Sequence, residues 1–194
     1  VRSATAKTSE SLFAASATSK QVARIYFSIG SNVDPLKYIE LAVHELEHRF
    51  GPIDVSPVYQ NKALGFEGTD FLNLVVGVDT DKTVDDICKE ISAIHELAQR
   101  NNGKAKFVSR TLDIDLLIYG QLVTPGPPLR LPRVDVLKYT FALKPLADIA
   151  ADECHPESGR SYAEHWDAMD QAEHPLVRVE VDITSRGSVR HQPQ

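Results

Sequence analysis

An acidic balance, 27 Asp and Glu against 21 Lys and Arg with a formal net charge of -6, argues against a broad basic surface for nucleic acid in this 194-residue chain. With 42% hydrophobic and 25% charged residues and no apolar run long enough to span a bilayer, the composition fits a globular, non-membrane domain with one substantial core. Two cysteines, Cys88 and Cys154, stand far apart without metal-type spacing, which suits a reducing, cytoplasmic compartment.

Residues 1–22 are rich in Ser, Thr and Ala with one acid, Glu10, and read as a disordered leader with a weak likeness to an organellar transit peptide. Residues 23–183 form the expected domain, and the polar residues 184–194 a flexible tail. The β-branched and aromatic run 23–30 predicts a strand ending at Gly30-Ser31-Asn32. Asp34 is the expected N-cap of a helix over 35–50, with Pro35 at its first position and Leu36, Ile39, Val43, Leu46 and Phe50 as its core stripe. His44-Glu45-Leu46-Glu47-His48 in this helix matches the zinc-protease pattern letter for letter. Both histidines, however, lie roughly 130 to 170° from the centre of the stripe. No third ligand follows, so a solvated face is expected and a zinc hydrolase is the weaker alternative.

Gly51-Pro52 ends the helix, and 53–59 predicts a short strand that Pro57 assigns to a sheet edge. A loop over 60–70 leads to a strand over 71–79. Leu72, Leu74, Val76 and Val78 form one face of that strand; Phe71, Asn73, Val75 and Gly77 form the other. An amide between Phe71 and Val75 needs partners, either neighbouring backbone or a flat heterocycle with adjacent donors and acceptors. Thr83 caps a helix to about Gln99, with Val84, Ile87, Cys88, Ile91, Ile94 and Ala98 as its apolar face and Cys88 therefore packed in the core.

From Leu112 the chain alternates again. Leu112, Ile114 and Leu116 face one way and Asp113 and Asp115 the other, about 7 Å apart at Cα. Such a pair is either a solvated strand face or a site for a shared cation, since like charges this close repel unless something holds them ionised. Four cations, Arg100, Lys104, Lys106 and Arg110, precede the pair within sixteen residues. Cations beside paired acids suit a polyphosphate bridged by Mg²⁺. Beyond a Pro-rich loop at 124–128, a short helix is expected over 145–150, a turn over 155–159, a helix over 161–169 and a final strand over 176–183. This order predicts an α+β domain with a largely antiparallel sheet flanked by helices.

The run Arg110-Thr111-Leu112-Asp113-Ile114-Asp115-Leu116-Leu117 closely resembles the signature of the 6-hydroxymethyl-7,8-dihydropterin pyrophosphokinase family of folate biosynthesis. Gly30-Ser31-Asn32, Phe71-Leu72-Asn73, Leu131-Pro132 and the segment from Phe141 through Pro145 to Ala147 support the resemblance in the same order. It implies a ferredoxin-like fold and a monomeric enzyme acting on small molecules, ATP and a reduced pterin, with AMP released. By the same resemblance Asp113 and Asp115 would hold two Mg²⁺ ions, and Arg100 and Arg110 would grip the phosphates, making Arg100, Arg110 and Asp115 the catalytic set. Lys104, Lys106, Arg133 and Tyr139 would contact ATP, and Gly30, Leu64, Phe71, Asn73, Phe107 and Phe141 would form the pterin pocket. The segment 100–109 would close over ATP. The chain departs from the family at Phe107, where a Trp is usual, at Val108-Ser109, at His95, where an acid is common, at Arg133, commonly His, and at Tyr139, commonly Arg. A catalytically inactive module that binds nucleotide or pterin and regulates or scaffolds a partner is the alternative that these departures raise.

Overall fold

The computed structural model describes residues 21–63, 68–99, 111–127 and 129–183. In chain order the elements are β1 (Ala23–Ser31), α1 (Pro35–Phe50), β2 (Ile53–Val55), β3 (Val58–Asn61), β4 (Phe71–Thr80), α2 (Val84–Gln99) and β5 (Asp113–Tyr119). They continue with β6 (Thr124–Pro125), β7 (Arg130–Leu131), α3 (Asp135–Lys138), α4 (Thr140–Ile149), α5 (Tyr162–Ala168) and β8 (Val177–Val179). The main sheet runs β5-β1-β4-β3-β8, β2 also pairs with β4, and every pairing is antiparallel. Each of α1 and α2 carries the chain over a neighbouring strand, so both cover the same sheet face, and the result is a ferredoxin-like α+β fold.

The two faces follow from strand alternation. Ile25, Phe27 and Ile29 of β1 pack with Ile39 and Leu46 of α1, Ile87 and Ile94 of α2, and Ile114 and Leu116 of β5. Tyr26 and Val75 point the other way, against Leu143 and Leu146 of α4 and Tyr162 of α5. The β1–β5 register slips between Tyr26 and Phe27: Phe27 faces Leu116 and Tyr26 faces Ile118, so Leu117 is a bulged residue. Leu117 and Ile118 therefore both enter the α4–α5 core, and Tyr119 returns to the opposite side. Among the described residues no helix is long and apolar enough to cross a membrane.

Several expectations are met. α1 ends at Gly51, whose φ of 87° a side chain would strain and whose N–H donates to Glu47 O at 2.9 Å. Thr83 Oγ1 accepts from Asp86 N at 3.2 Å, capping α2. His44 and His48 are exposed on the outer side of α1, as their helical spacing predicts.

Others need correction. Leu36, in the first turn of α1, is 43% exposed; Tyr38 and Ala42 complete the buried stripe instead. Asp34 marks the helix start in a left-handed conformation, yet its side chain makes no capping bond. The edge that Pro57 predicts holds for β2 alone: Pro57 separates β2, which among the described residues pairs only with β4, from β3, whose outer side β8 covers. Ser56 bridges the break: its N–H donates to Val75 O at 3.0 Å and its Oγ accepts from Val75 N at 2.9 Å. β3 also continues to Asn61, into the expected loop. The helix expected to begin at Pro145 begins at Thr140 and carries Pro145 inside it. The Pro-rich loop supplies β6, the first strand of a β6–β7 hairpin, the final strand is only three residues long, and Cys88 is half-buried rather than in the core.

Candidate active site

One row across the sheet brings the chemistry together. Asp113 on β5 faces Gly30 on β1, Gly30 faces Asn73 on β4, and Asn73 faces Tyr59 on β3. Residues opposite one another on neighbouring strands share a face, so Asp113 and Asn73 stand about 10 Å apart, two strand spacings, with Gly30 as the floor between them. Asp115 lies in the next row on the same face, opposite Ser28, and both aspartates are half-buried. β5 is the sheet edge, so its outward N–H groups need partners. His95 Nε2, from α2, accepts from Ile114 N at 2.9 Å and fixes the backbone between the two aspartates.

Asn73 is buried, and its partner is a side chain rather than the neighbouring backbone: Nδ2 donates to Asn61 Oδ1 at 2.5 Å. Asn61 is fixed in turn by donating to Lys62 O at 2.8 Å. Its proximity to Asn73 arises only from the β3–β4 pairing, and no local pattern marked it. A Cβ on Gly30 would lie 2.8 Å from Asn73 Oδ1, so glycine here lets the Asn73 amide approach β1 closely. Ser31 Oγ donates to Thr111 O at 2.5 Å, and Asn32 exchanges bonds with Thr69, its Nδ2 donating to Thr69 O at 3.2 Å and its O accepting from Thr69 Oγ1 at 2.6 Å. The Gly30-Ser31-Asn32 turn thus holds the chain at both 69 and 111.

Arg133 reaches Asp115, one of the two paired carboxylates. Its N–H donates to Leu117 O at 2.9 Å, and its Nη2 lies 3.1 Å from both Asp115 Oδ2 and Asp135 Oδ2. Tyr139 and Phe141 stack, with ring centroids 5.0 Å apart and planes 14° from parallel. The Lys138 ammonium sits 4.7 Å from the centre of the Tyr139 ring. Phe71 begins β4 on the same face as Asn73. Leu64, Arg100, Lys104, Lys106, Phe107 and Arg110 lie outside the described residues.

Among the described residues no three His, Cys, Asp or Glu side chains converge on one point, so the carboxylate pair leaves most positions around a cation to other donors. That donor set fits Mg²⁺, which commonly takes one or two carboxylates plus phosphate oxygens and water. The guanidinium already resting on Asp115 shows that a cation is electrostatically welcome there.

The fold and the site define a ferredoxin-like domain with a paired-carboxylate centre beside an amide-lined floor. A family model described as 7,8-dihydro-6-hydroxymethylpterin-pyrophosphokinase (HPPK) matches residues 26–151, and the chain belongs to that family. The 2-amino-4-hydroxy-6-hydroxymethyldihydropteridine pyrophosphokinase of Aquifex aeolicus is 32% identical over 137 residues, covering 70% of this chain and 85% of that protein. The folic acid synthesis protein fol1 of Pneumocystis carinii is 28% identical over 75% of this chain, which spans only 20% of that longer protein. The crystal structure of wild-type Plasmodium falciparum HPPK-DHPS shares the fold, with a TM-score of 0.61 at 13% identity over 76% of this chain and 45% of that one.

Proposed function

We infer that this chain transfers the β,γ-pyrophosphoryl group of ATP to 6-hydroxymethyl-7,8-dihydropterin, giving AMP and the pterin diphosphate in folate biosynthesis. The observation that carries this reading is the row Asp113–Gly30–Asn73, in which a phosphate-side carboxylate and a heterocycle-reading amide share one face across a bare glycine. Asn61 orients the Asn73 amide toward the edge of the pterin ring, and Gly30 leaves the room that the Asn73 amide occupies. Phe71, Phe107, Phe141 and Leu64 would enclose the ring, whose flat faces match aromatic side chains.

Asp113 and Asp115 would hold Mg²⁺, in two ions by the family resemblance. Bound there, Mg²⁺ would supply positive charge against the negative charge that develops on the phosphoryl group under attack. Arg100 and Arg110 would grip the same oxygens through bidentate hydrogen bonds, with Lys104, Lys106, Arg133 and Tyr139 as further ATP contacts. The hydroxymethyl oxygen bonds to the β-phosphorus while the bond from that phosphorus to the α–β bridging oxygen breaks. AMP leaves with the bridging oxygen, and the hydroxyl proton passes to solvent. No side-chain nucleophile takes part; the protein's contribution is orientation and electrostatics. The inactive alternative draws no support from a chain that keeps both aspartates and Asn73.

The test is AMP release from ATP by the purified chain, followed by chromatography. Release that requires both Mg²⁺ and the pterin is expected. A chain that binds ATP but forms no AMP with this pterin contradicts the reading.

A further inference from the structure

The carboxylate pair already has a cation of its own. Arg133 Nη2 stands 3.1 Å from Asp115 Oδ2 and 3.1 Å from Asp135 Oδ2, and Arg133 Nε donates to the same Asp135 oxygen at 3.1 Å. The placement is built into the backbone. Residue 133 hangs from Leu117 O, two residues beyond Asp115 on β5, and the turn continues directly into α3, whose first residue is Asp135. The Arg133, Asp115 and Asp135 side chains are 31%, 37% and 29% exposed, so the contact is wet enough to open and close.

We propose that Arg133 is an internal counter-ion that holds the metal pair closed to a bare cation, so that Mg²⁺ enters together with ATP. The proposal rests on the reading of Asp113 and Asp115 as metal ligands. Electrostatics gives its direction. Without nucleotide, a metal ion approaching Asp115 must displace a guanidinium and is repelled by it; with nucleotide, the triphosphate offers the released guanidinium a better anionic partner. Arg133 is a positioning residue in this scheme: it sets the order in which ligands assemble.

The experiment titrates Mn²⁺ into the full chain without nucleotide, reading free Mn²⁺ by its paramagnetic resonance, for wild type, Arg133→Gln, Arg133→Lys and Arg133→Gln with Asp115→Asn. It repeats each titration with α,β-methylene ATP. Removing the guanidinium should tighten Mn²⁺ binding without nucleotide on the order of tenfold, because one competing charge is gone and the Asp135 charge joins the attraction. Lysine at 133 should restore weak binding, Asp115→Asn should abolish it, and the tenfold advantage should disappear with the nucleotide analogue present. Equal Mn²⁺ affinity in wild type and Arg133→Gln, with Asp115→Asn still abolishing binding, overturns the counter-ion proposal and leaves the metal pair standing. No Mn²⁺ binding in any variant, with or without nucleotide, overturns the metal pair itself and the proposal with it. Should Gln at 133 melt well below wild type, Arg133→Met gives the same comparison.

Discussion

Replacing Gly30 by alanine puts one methyl group against the centre of the proposed pterin site. The new Cβ would stand 2.8 Å from Asn73 Oδ1, with Asn73 Cγ and Phe71 Cδ1 each at 3.9 Å. Only the first contact lies well inside the ~3.5 Å at which non-bonded atoms attract. The obstructing atom ends a side chain, so the amide can rotate away while β1 and β4 keep their register. Rotation breaks the 2.5 Å bond to Asn61, and a buried acceptor left unsatisfied costs about 1–3 kcal/mol. Alanine in a strand recovers about 0.5–1 kcal/mol relative to glycine. Stability should therefore fall by no more than about 2.5 kcal/mol, while pterin recognition loses its oriented amide. A loss of about 1–3 kcal/mol there corresponds to a KM for pterin raised roughly 5- to 150-fold. Initial rates of AMP formation, varied in pterin at saturating ATP and then the reverse, separate the two substrates. The KM for ATP should stay within about twofold, because the aspartates are untouched. A pterin KM within twofold of wild type in a normally folded Gly30→Ala protein refutes the assignment of Asn73, and an equal rise in both KM values refutes its separation from the phosphate side.

Asn61→Ala should raise the pterin KM through loss of Asn73 orientation with little change in ATP affinity; an unchanged pterin KM removes Asn61 from the site. Asp113→Asn and Asp115→Asn should each lower kcat on the order of a thousandfold with a near-native melting temperature, and turnover within tenfold of wild type contradicts the metal assignment. Leu46→Ala should cost about 2–5 kcal/mol in urea unfolding, whereas Leu36→Ala, at an exposed position in the first turn of α1, should cost under about 1 kcal/mol. His155 gives a pH prediction. Burial holds its imidazole below the ordinary value, with His165 adding repulsion. The unfolded chain therefore takes up a proton below about pH 6.5 that the folded protein refuses until lower pH, so stability should fall as pH drops from about 6.5 to 5.5. His155→Gln should flatten that slope in urea midpoints; an unchanged slope assigns it elsewhere.

What could be read from the chain alone was whatever depends on neighbours in sequence. α1 and α2 carry apolar residues at helical spacing, and Asp113 and Asp115 alternate against buried Ile114 and Leu116, so these elements and the carboxylate pair were visible at once. The errors came where tertiary contact decides. Leu36 fits the stripe but stays exposed in the first turn of α1, and Pro145 resembles a helix start although packing of Ala142, Leu143 and Leu146 carries the helix through it. The Leu117 bulge arises from the β1–β5 pairing, and Asn61 meets Asn73 only through the β3–β4 pairing. Arg133 stands out in the sequence as a departure from the family, but its hold on Asp115 depends on the turn that hangs from Leu117 O.

The central claim is that the acceptor hydroxyl attacks the β-phosphorus and carries two phosphates away as one unit. ATP labelled with ³²P at the β position, incubated with the chain, Mg²⁺ and 6-hydroxymethyl-7,8-dihydropterin, tests it directly. The label should move to the pterin in step with unlabelled AMP. Labelled ADP accumulating beside a pterin monophosphate, or label that stays in ATP while both substrates are bound, would contradict the account.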